Sequence, residues 1–132
     1  MQSMRKVVLI DDDETTNYLN KLVIEKSGLV DDVVVFHSAN DALKYHQDHF
    51  DEIDGSLILL DINMPIMNGW EFLDSYGALE KKGSEKIVLL TSSISPSDKK
   101  RAAENPFVVD YRSKPLSTEL LQELVDVHLQ FA

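Results

Sequence analysis

Short unbroken apolar runs alternate with longer amphipathic stretches along almost the whole chain. Val7-Val8-Leu9-Ile10 is continuous and β-branched rather than alternating, the pattern of a strand covered on both faces. The next stretch carries Leu19, Leu22 and Val23 at helical spacing, flanked by Tyr18 and Lys26, and Gly28 stands where a C-terminal glycine ends a helix. Val33-Val34-Val35-Phe36 predicts a second strand. Ser38 then caps a helix from about Asn40 to Asp48, with Asp41 as a shortened capping-box partner. Asp51 to Gly55 reads as a solvated acidic connection leading to a third strand, Leu57 to Leu60. Gly69 opens a third helix with Trp70 in its first turn and Phe72, Leu73, Tyr76 and Leu79 on its apolar face, ended by Gly83. Ile87-Val88-Leu89-Leu90 is the fourth strand. Pro96 starts a short helix that must stop before Pro106 and offers only Ala102 and Ala103 as apolar surface. Phe107-Val108-Val109 begins a fifth strand. Ser117 caps a last helix with Leu120, Leu121, Leu124, Val125, His128 and Phe131 at core spacing. Such strict alternation predicts an α/β fold: a doubly wound, five-stranded parallel sheet with helices on both faces.

Composition narrows the function. A length of 132 residues fits one domain over 1–132, with a core from about 6 to 131. Hydrophobic content of 43% and charged content of 27% are ordinary for a globular chain, and no apolar stretch approaches the roughly 20 residues of a membrane span. The start, Met1 to Lys6, leads into an apolar run too short for a signal-peptide core, so a cytoplasmic location is expected. The absence of cysteine excludes a disulfide framework, a thiolate metal site and a cysteine nucleophile. A net charge of −10 argues against direct nucleic-acid binding. The nearest basic patch, Lys99-Lys100-Arg101, reads as a solvated helix face, while the acidic balance favours a divalent cation.

Four predicted strands end in polar groups suited to one reaction. These are the run Asp11, Asp12, Asp13; Asp61 in Leu60-Asp61-Ile62-Asn63-Met64-Pro65; Thr91 in Leu90-Thr91-Ser92; and Lys114 before Pro115. The carboxyl ends of strands in an open α/β sheet form its ligand crevice, so these groups converge in space. A carboxylate at Asp61 can act as the nucleophile in phosphoryl transfer if the charge of the transferring group is neutralised. Asp11 and Asp12 supply oxygen ligands for Mg²⁺, and the backbone carbonyl of Asn63 can supply another. Three carboxylates in one cleft repel one another without a cation, so metal dependence is expected. Lys114 can pair with Asp61 at rest and with a phosphoryl oxygen afterwards, and the Thr91 hydroxyl can donate to a second.

Together these motifs, with Met67-Asn68-Gly69-Trp70-Glu71 and Asp110-Tyr111-Arg112-Ser113-Lys114-Pro115, make the chain resemble a response-regulator receiver domain of two-component signalling. The resemblance runs from about Lys6 to Phe131. It implies the flavodoxin-like strand order 2-1-3-4-5, which the sequence alone does not reveal. It implies phosphorylation of Asp61 by a histidine kinase or a histidine phosphotransfer protein, with Mg²⁺ held directly by Asp12 and Asp61 and mainly through water by Asp11. It also implies a cis bond before Pro115, Thr91 and Lys114 as readers of the phosphoryl group, Tyr111 as an aromatic switch, and Asn63 and Ser93 as positions that tune phosphoryl lifetime. A downstream protein target is expected on the surface of helix 4, strand 5 and helix 5. The protein would catalyse only its own phosphorylation and dephosphorylation.

Other readings fit less of the chain. A haloacid-dehalogenase-type phosphatase needs a second Asp two residues after the nucleophile, where Asn63 stands and cannot protonate a leaving group. A phosphorylation-independent adaptor on the same scaffold has no use for Asp11, Asp12, Asp61, Thr91 and Lys114 together. His46 and His49 lie three apart but lack a further ligand and read as a solvated helix end. Flavin binding lacks a glycine-rich phosphate cradle.

Overall fold

The apolar runs pair in parallel as β1 Lys6–Ile10, β2 Asp32–Phe36, β3 Leu57–Leu60, β4 Lys86–Thr91 and β5 Val108–Ser113, in the order β2-β1-β3-β4-β5. The structure is a computed structural model that describes residues 5–49, 55–79, 83–92 and 95–129. Helices α1 Glu14–Ser27, α2 Ala39–Asp48, α3 Gly69–Gly77, α4 Pro96–Glu104 and α5 Thr118–His128 fill the crossovers. None is long and apolar enough to cross a membrane. The acidic connection from Asp51 to Asp54, Ser93 and Phe131 lie outside the described residues.

Unbroken apolar strands make two cores because successive side chains point to opposite faces. Val8, Ile10, Ile58, Leu60, Ile87 and Leu89 pack with Ala42, Phe72, Leu73, Tyr76 and Ala102 of α2, α3 and α4. Their neighbours Val7, Leu9, Leu57, Leu59, Val88 and Leu90 pack with Ile24 of α1 and Leu121, Leu124 and Val125 of α5. The registers Ile10↔Leu60 and Leu60↔Leu89 bring β1, β3 and β4 to the same edge together. An irregularity near Ile87 and Val88 sets Asp110 against Val88 and Tyr111 against Leu89.

Caps account for the helix starts. Asp13, Ser38, Asn68, Ser95 and Ser117 each accept a backbone N–H from the first turn of the following helix. Gly28 ends α1 at φ +70°, a left-handed conformation that favours glycine. α4 forms and stops at Glu104 although only Ala102 is buried on it. Besides its cap, the Arg101 guanidinium lies 4.5 Å from the centroid of the Trp70 ring, a cation–π contact that ties α4 to α3.

Three sequence expectations need correction. On α1 the sheet-facing residues are Asn17, Asn20 and Ile24, while Leu19 is 53% exposed and only Val23 of the expected set packs partly against the core. The amide of Asn17 bonds inside the fold and sets the rotation of the helix. Second, α3 stops at Gly77 rather than continuing to Gly83. The missing Cβ of Gly77 admits the Phe107 ring, 2.9 Å from where that atom would be, and Leu79 packs on the core from beyond the helix. Third, His46 is not a solvated helix end. It is buried, with Nε2 2.5 Å from Glu85 Oε1, and the Tyr76 hydroxyl donates to the same oxygen at 3.2 Å. Burial is the largest influence and raises the Glu85 pKa, but the hydrogen bond and charge of His46, a backbone hydrogen bond and the Tyr76 hydroxyl together outweigh it and leave the carboxyl below its ordinary value. His49 is exposed and stacks on Tyr45.

Candidate phosphoacceptor site

Because β1 and β3 end in register, Asp11 and Asp61 leave the sheet side by side. The Asp61 amide donates to the carbonyl of Ile10 at 3.0 Å, and the Asp11 amide to that of Phe36 at 3.2 Å. Asp11 is held on every polar atom. Its Oδ1 accepts from the Asp13 amide at 2.9 Å, its Oδ2 from Lys114 Nζ at 2.6 Å, and its carbonyl from Asn17 Nδ2 at 2.7 Å. Asp12 is exposed. The third acid has a separate role: Asp13 caps α1 and accepts from the Thr16 hydroxyl, whose hydrogen bond holds its carboxyl below the usual value.

Asp61 is 6% exposed, and its buried Oδ1 has no hydrogen-bond partner among the described residues. Lys114 Nζ lies 3.7 Å from that oxygen, so the single ammonium spans Asp11 and Asp61 and sits nearer Asp11. Burial above all, then the charge of Asp11, raises the Asp61 pKa from 3.8 to about 6, against the lowering effects of Lys114 and the Asn63 backbone. Asp11, Asp12 and Asp61 each offer an oxygen within 4.8 Å of the others. Three hard oxygen donors facing the Lys114 ammonium, with the buried Asp61 Oδ1 lacking a hydrogen bond among the described residues, suit Mg²⁺ in charge and ligand type. Asn63 is exposed in the loop after Asp61.

That loop is shaped by residues the sequence motifs do not explain. A Cβ on Gly69 would lie 2.7 Å from the Asp61 carbonyl oxygen and 2.8 Å from Ile62 Cα, so only glycine lets α3 begin directly behind the carboxylate. Its amide donates to the Ile62 carbonyl at 2.8 Å. Asn68 and Glu71 close a reciprocal capping box at the same point. Ile66, at the tip, has φ +68° and is 94% exposed, a strained conformation for a β-branched residue.

Thr91 is fully buried at the end of β4, and its carbonyl accepts from the Lys114 amide at 2.8 Å. The Lys114–Pro115 peptide is cis. Tyr111 is half-buried on β5 and packs on the α2–α4 core, with burial raising its hydroxyl pKa. The structure thus gathers Asp11, Asp12, Asp61 and Lys114 into one cleft, with Thr91 on the adjoining strand and Tyr111 one strand further out. Sequence reading missed Asn17. Its only signal was an amide at helical spacing from Ile24, where an apolar residue was expected.

Residues 7–126 match the response regulator receiver domain family. Among curated proteins, the chain is 32% identical over 114 residues to the transcriptional regulatory protein CpxR of Escherichia coli K12, covering 86% of this chain and 44% of that protein. It is 30% identical over 132 residues to hybrid signal transduction histidine kinase I of Dictyostelium discoideum, covering 97% of this chain but 7% of the kinase. The chain therefore spans less than half the length of either relative. Among solved structures, a two component response regulator from Cytophaga hutchinsonii is 33% identical with a TM-score of 0.86, covering 97% of this chain and 98% of that one. A receiver protein from Dyadobacter fermentans is 29% identical, also with a TM-score of 0.86, covering 96% and 99%. With the β2-β1-β3-β4-β5 sheet and the acidic cleft at its edge, these matches have one meaning: the chain belongs to the response regulator receiver domain family.

Proposed function

We propose that the chain stores a signal as an aspartyl phosphate on Asp61 within a cytoplasmic two-component pathway. A carboxylate oxygen of Asp61 attacks the phosphorus of a phosphohistidine on a histidine kinase or histidine phosphotransfer protein. The new O–P bond replaces the N–P bond, and the leaving imidazole takes up a proton. The observation that carries this reading is the buried Oδ1 of Asp61, without a hydrogen bond among the described residues and set 3.7 Å from Lys114 Nζ. With no hydrogen bond among the described residues, it is the nucleophilic atom of this reading.

Asp11, Asp12 and Asp61 would hold Mg²⁺, with the Asn63 carbonyl as a further oxygen ligand. A bound Mg²⁺ supplies neutralisation of the charge on the transferring group. Lys114 needs to move little to leave Asp11 for a phosphoryl oxygen, and the Thr91 hydroxyl donates to another. Hydrogen bonds to charged groups contribute about 1.5–3 kcal/mol each. Two of them approach the roughly 5.5 kcal/mol that moves a two-state equilibrium from 1:99 to 99:1. Movement of Thr91 frees volume for Tyr111 to turn inward, which alters the α4–β5–α5 surface offered to a downstream protein. Asn63 and Ser93 tune the lifetime of the phosphoryl group.

The test is incubation with acetyl phosphate and Mg²⁺ followed by intact mass. A phosphoryl adduct is expected, lost in Asp61→Asn and in EDTA. An adduct that persists in either removes the proposal.

A further inference from the structure

Asn17 is a buried polar residue on the sheet-facing side of α1. It is 2% exposed and faces the sheet, in line with Ile24. Half of its amide is used: Nδ2 donates to the Asp11 carbonyl at 2.7 Å. The other half is not, because Oδ1 is buried and accepts no hydrogen bond among the described residues. An unpaired buried acceptor is destabilising, so this amide is kept at a local cost. Polar groups kept against local stability are expected at functional sites.

The bond falls on the peptide that matters. Asp11 is the first residue beyond β1, and its carbonyl belongs to the planar unit that leads into Asp12. The amide of Asp11 is anchored on β2 and its carboxylate is held by Asp13 and Lys114. Asp12, in contrast, is exposed and has no side-chain hydrogen bond among the described residues. The direction of its carboxylate is set through the backbone, and Asn17 holds the carbonyl at the start of that peptide.

We propose that Asn17 is a positioning residue of the acidic cleft: by fixing the Asp11 carbonyl it aims Asp12 so that Asp11, Asp12 and Asp61 can share one divalent cation. The proposal rests on reading the cleft as a cation-dependent phosphoacceptor site. Partners that orient metal ligands typically change affinity by about 10–100-fold when removed.

The test separates positioning from packing, since a residue that only packs would leave Mg²⁺ affinity and the Asp12 and Asp13 amides unchanged. In Asn17→Leu the buried Asp11 carbonyl loses its donor, so the metal-free protein should still fold but melt below the wild type. Its Mg²⁺ affinity, followed by amide NMR shifts of Asp12, Asp13 and Asn63, should fall about 10–100-fold. The Asp12 and Asp13 amides should also exchange faster with solvent in the metal-free state. Asn17→Ala serves as a second variant, with the same loss of affinity despite a cavity. Unchanged Mg²⁺ affinity and unchanged amide exchange in both folded variants would overturn the assignment. Wild-type protein that binds no Mg²⁺ would instead sink the reading of the cleft, and amide exchange alone would then decide the role of Asn17.

Discussion

Asp61→Asn should make the metal-free protein more stable at neutral pH, because the fold holds this carboxylate in a place hostile to its charge. Burial and the neighbouring Asp11 raise its pKa from 3.8 to about 6. At about 1.36 kcal/mol per pKa unit this corresponds to about 3 kcal/mol. Asp12 is exposed and the Lys114 side chain is 18% exposed, so solvent screens the cleft and about 1–2 kcal/mol is the expected gain. The sign follows from proton counts. Between pH 3.8 and about 6 the folded chain retains a proton that the unfolded chain has lost, so this group's contribution to stability falls as pH rises through that window. The advantage of the variant should be absent below pH 3.8 and complete above about pH 6. Urea unfolding in EDTA across that range measures it, with an unchanged m-value showing that the unfolded state is unaltered. Adding Mg²⁺ should stabilise the wild type and narrow the gap. A variant no more stable than the wild type at pH 8, or with the same advantage on both sides of the window, refutes the account of the cleft.

Other sites give sharper local tests. Gly69→Ala places a methyl 2.7 Å from the Asp61 carbonyl and should destabilise by about 1–3 kcal/mol, while also slowing phosphorylation by acetyl phosphate. Ile66→Gly relieves a left-handed strain of about 1–2 kcal/mol, less the extra chain entropy of glycine, and should raise stability by about 0.5–1 kcal/mol in urea unfolding. His46→Ala leaves Glu85 buried with the Tyr76 hydroxyl but without its ionisable partner, and a loss of about 3–5 kcal/mol is expected at pH 7. Because the Glu85 pKa is lowered in the fold, its contribution is complete above pH 4.5 and is lost as pH falls through the lower folded value. The stability difference between wild type and Glu85→Gln should therefore shrink in acid, as measured by unfolding at several pH values.

Strands and cleft were legible because both follow from short-range pattern. A run such as Leu57 to Leu60 has one stable destination, between two helical layers, and the polar residue after it must emerge at the edge. Strand order was not legible in this way and came only with the family resemblance. Helix faces failed where polar residues point inward. Asn17 and Asn20 turn α1 away from its Leu19 stripe, and His46 is buried by a partner 39 residues away, a pairing that periodicity does not report. The end of α3 depends on the Phe107 ring meeting Gly77, again a contact distant in sequence. α4 was readable from Ser95, Pro96 and Pro106 but not from apolar surface, since part of its anchorage is the Arg101 contact with Trp70.

The two hydrophobic clusters have a mechanical meaning. Leu59 belongs to one and Leu60 to the other, and among the described residues no side chain is shared between them. Among the described residues the protein is a three-ply laminate whose two outer helical layers pack on opposite faces of a sheet one residue thick. Substitutions on opposite plies should add independently, so sequence drift can refashion one outer surface without retuning the other. A disturbance applied along the middle ply is felt by both, and Asp61 stands at the rim of that ply.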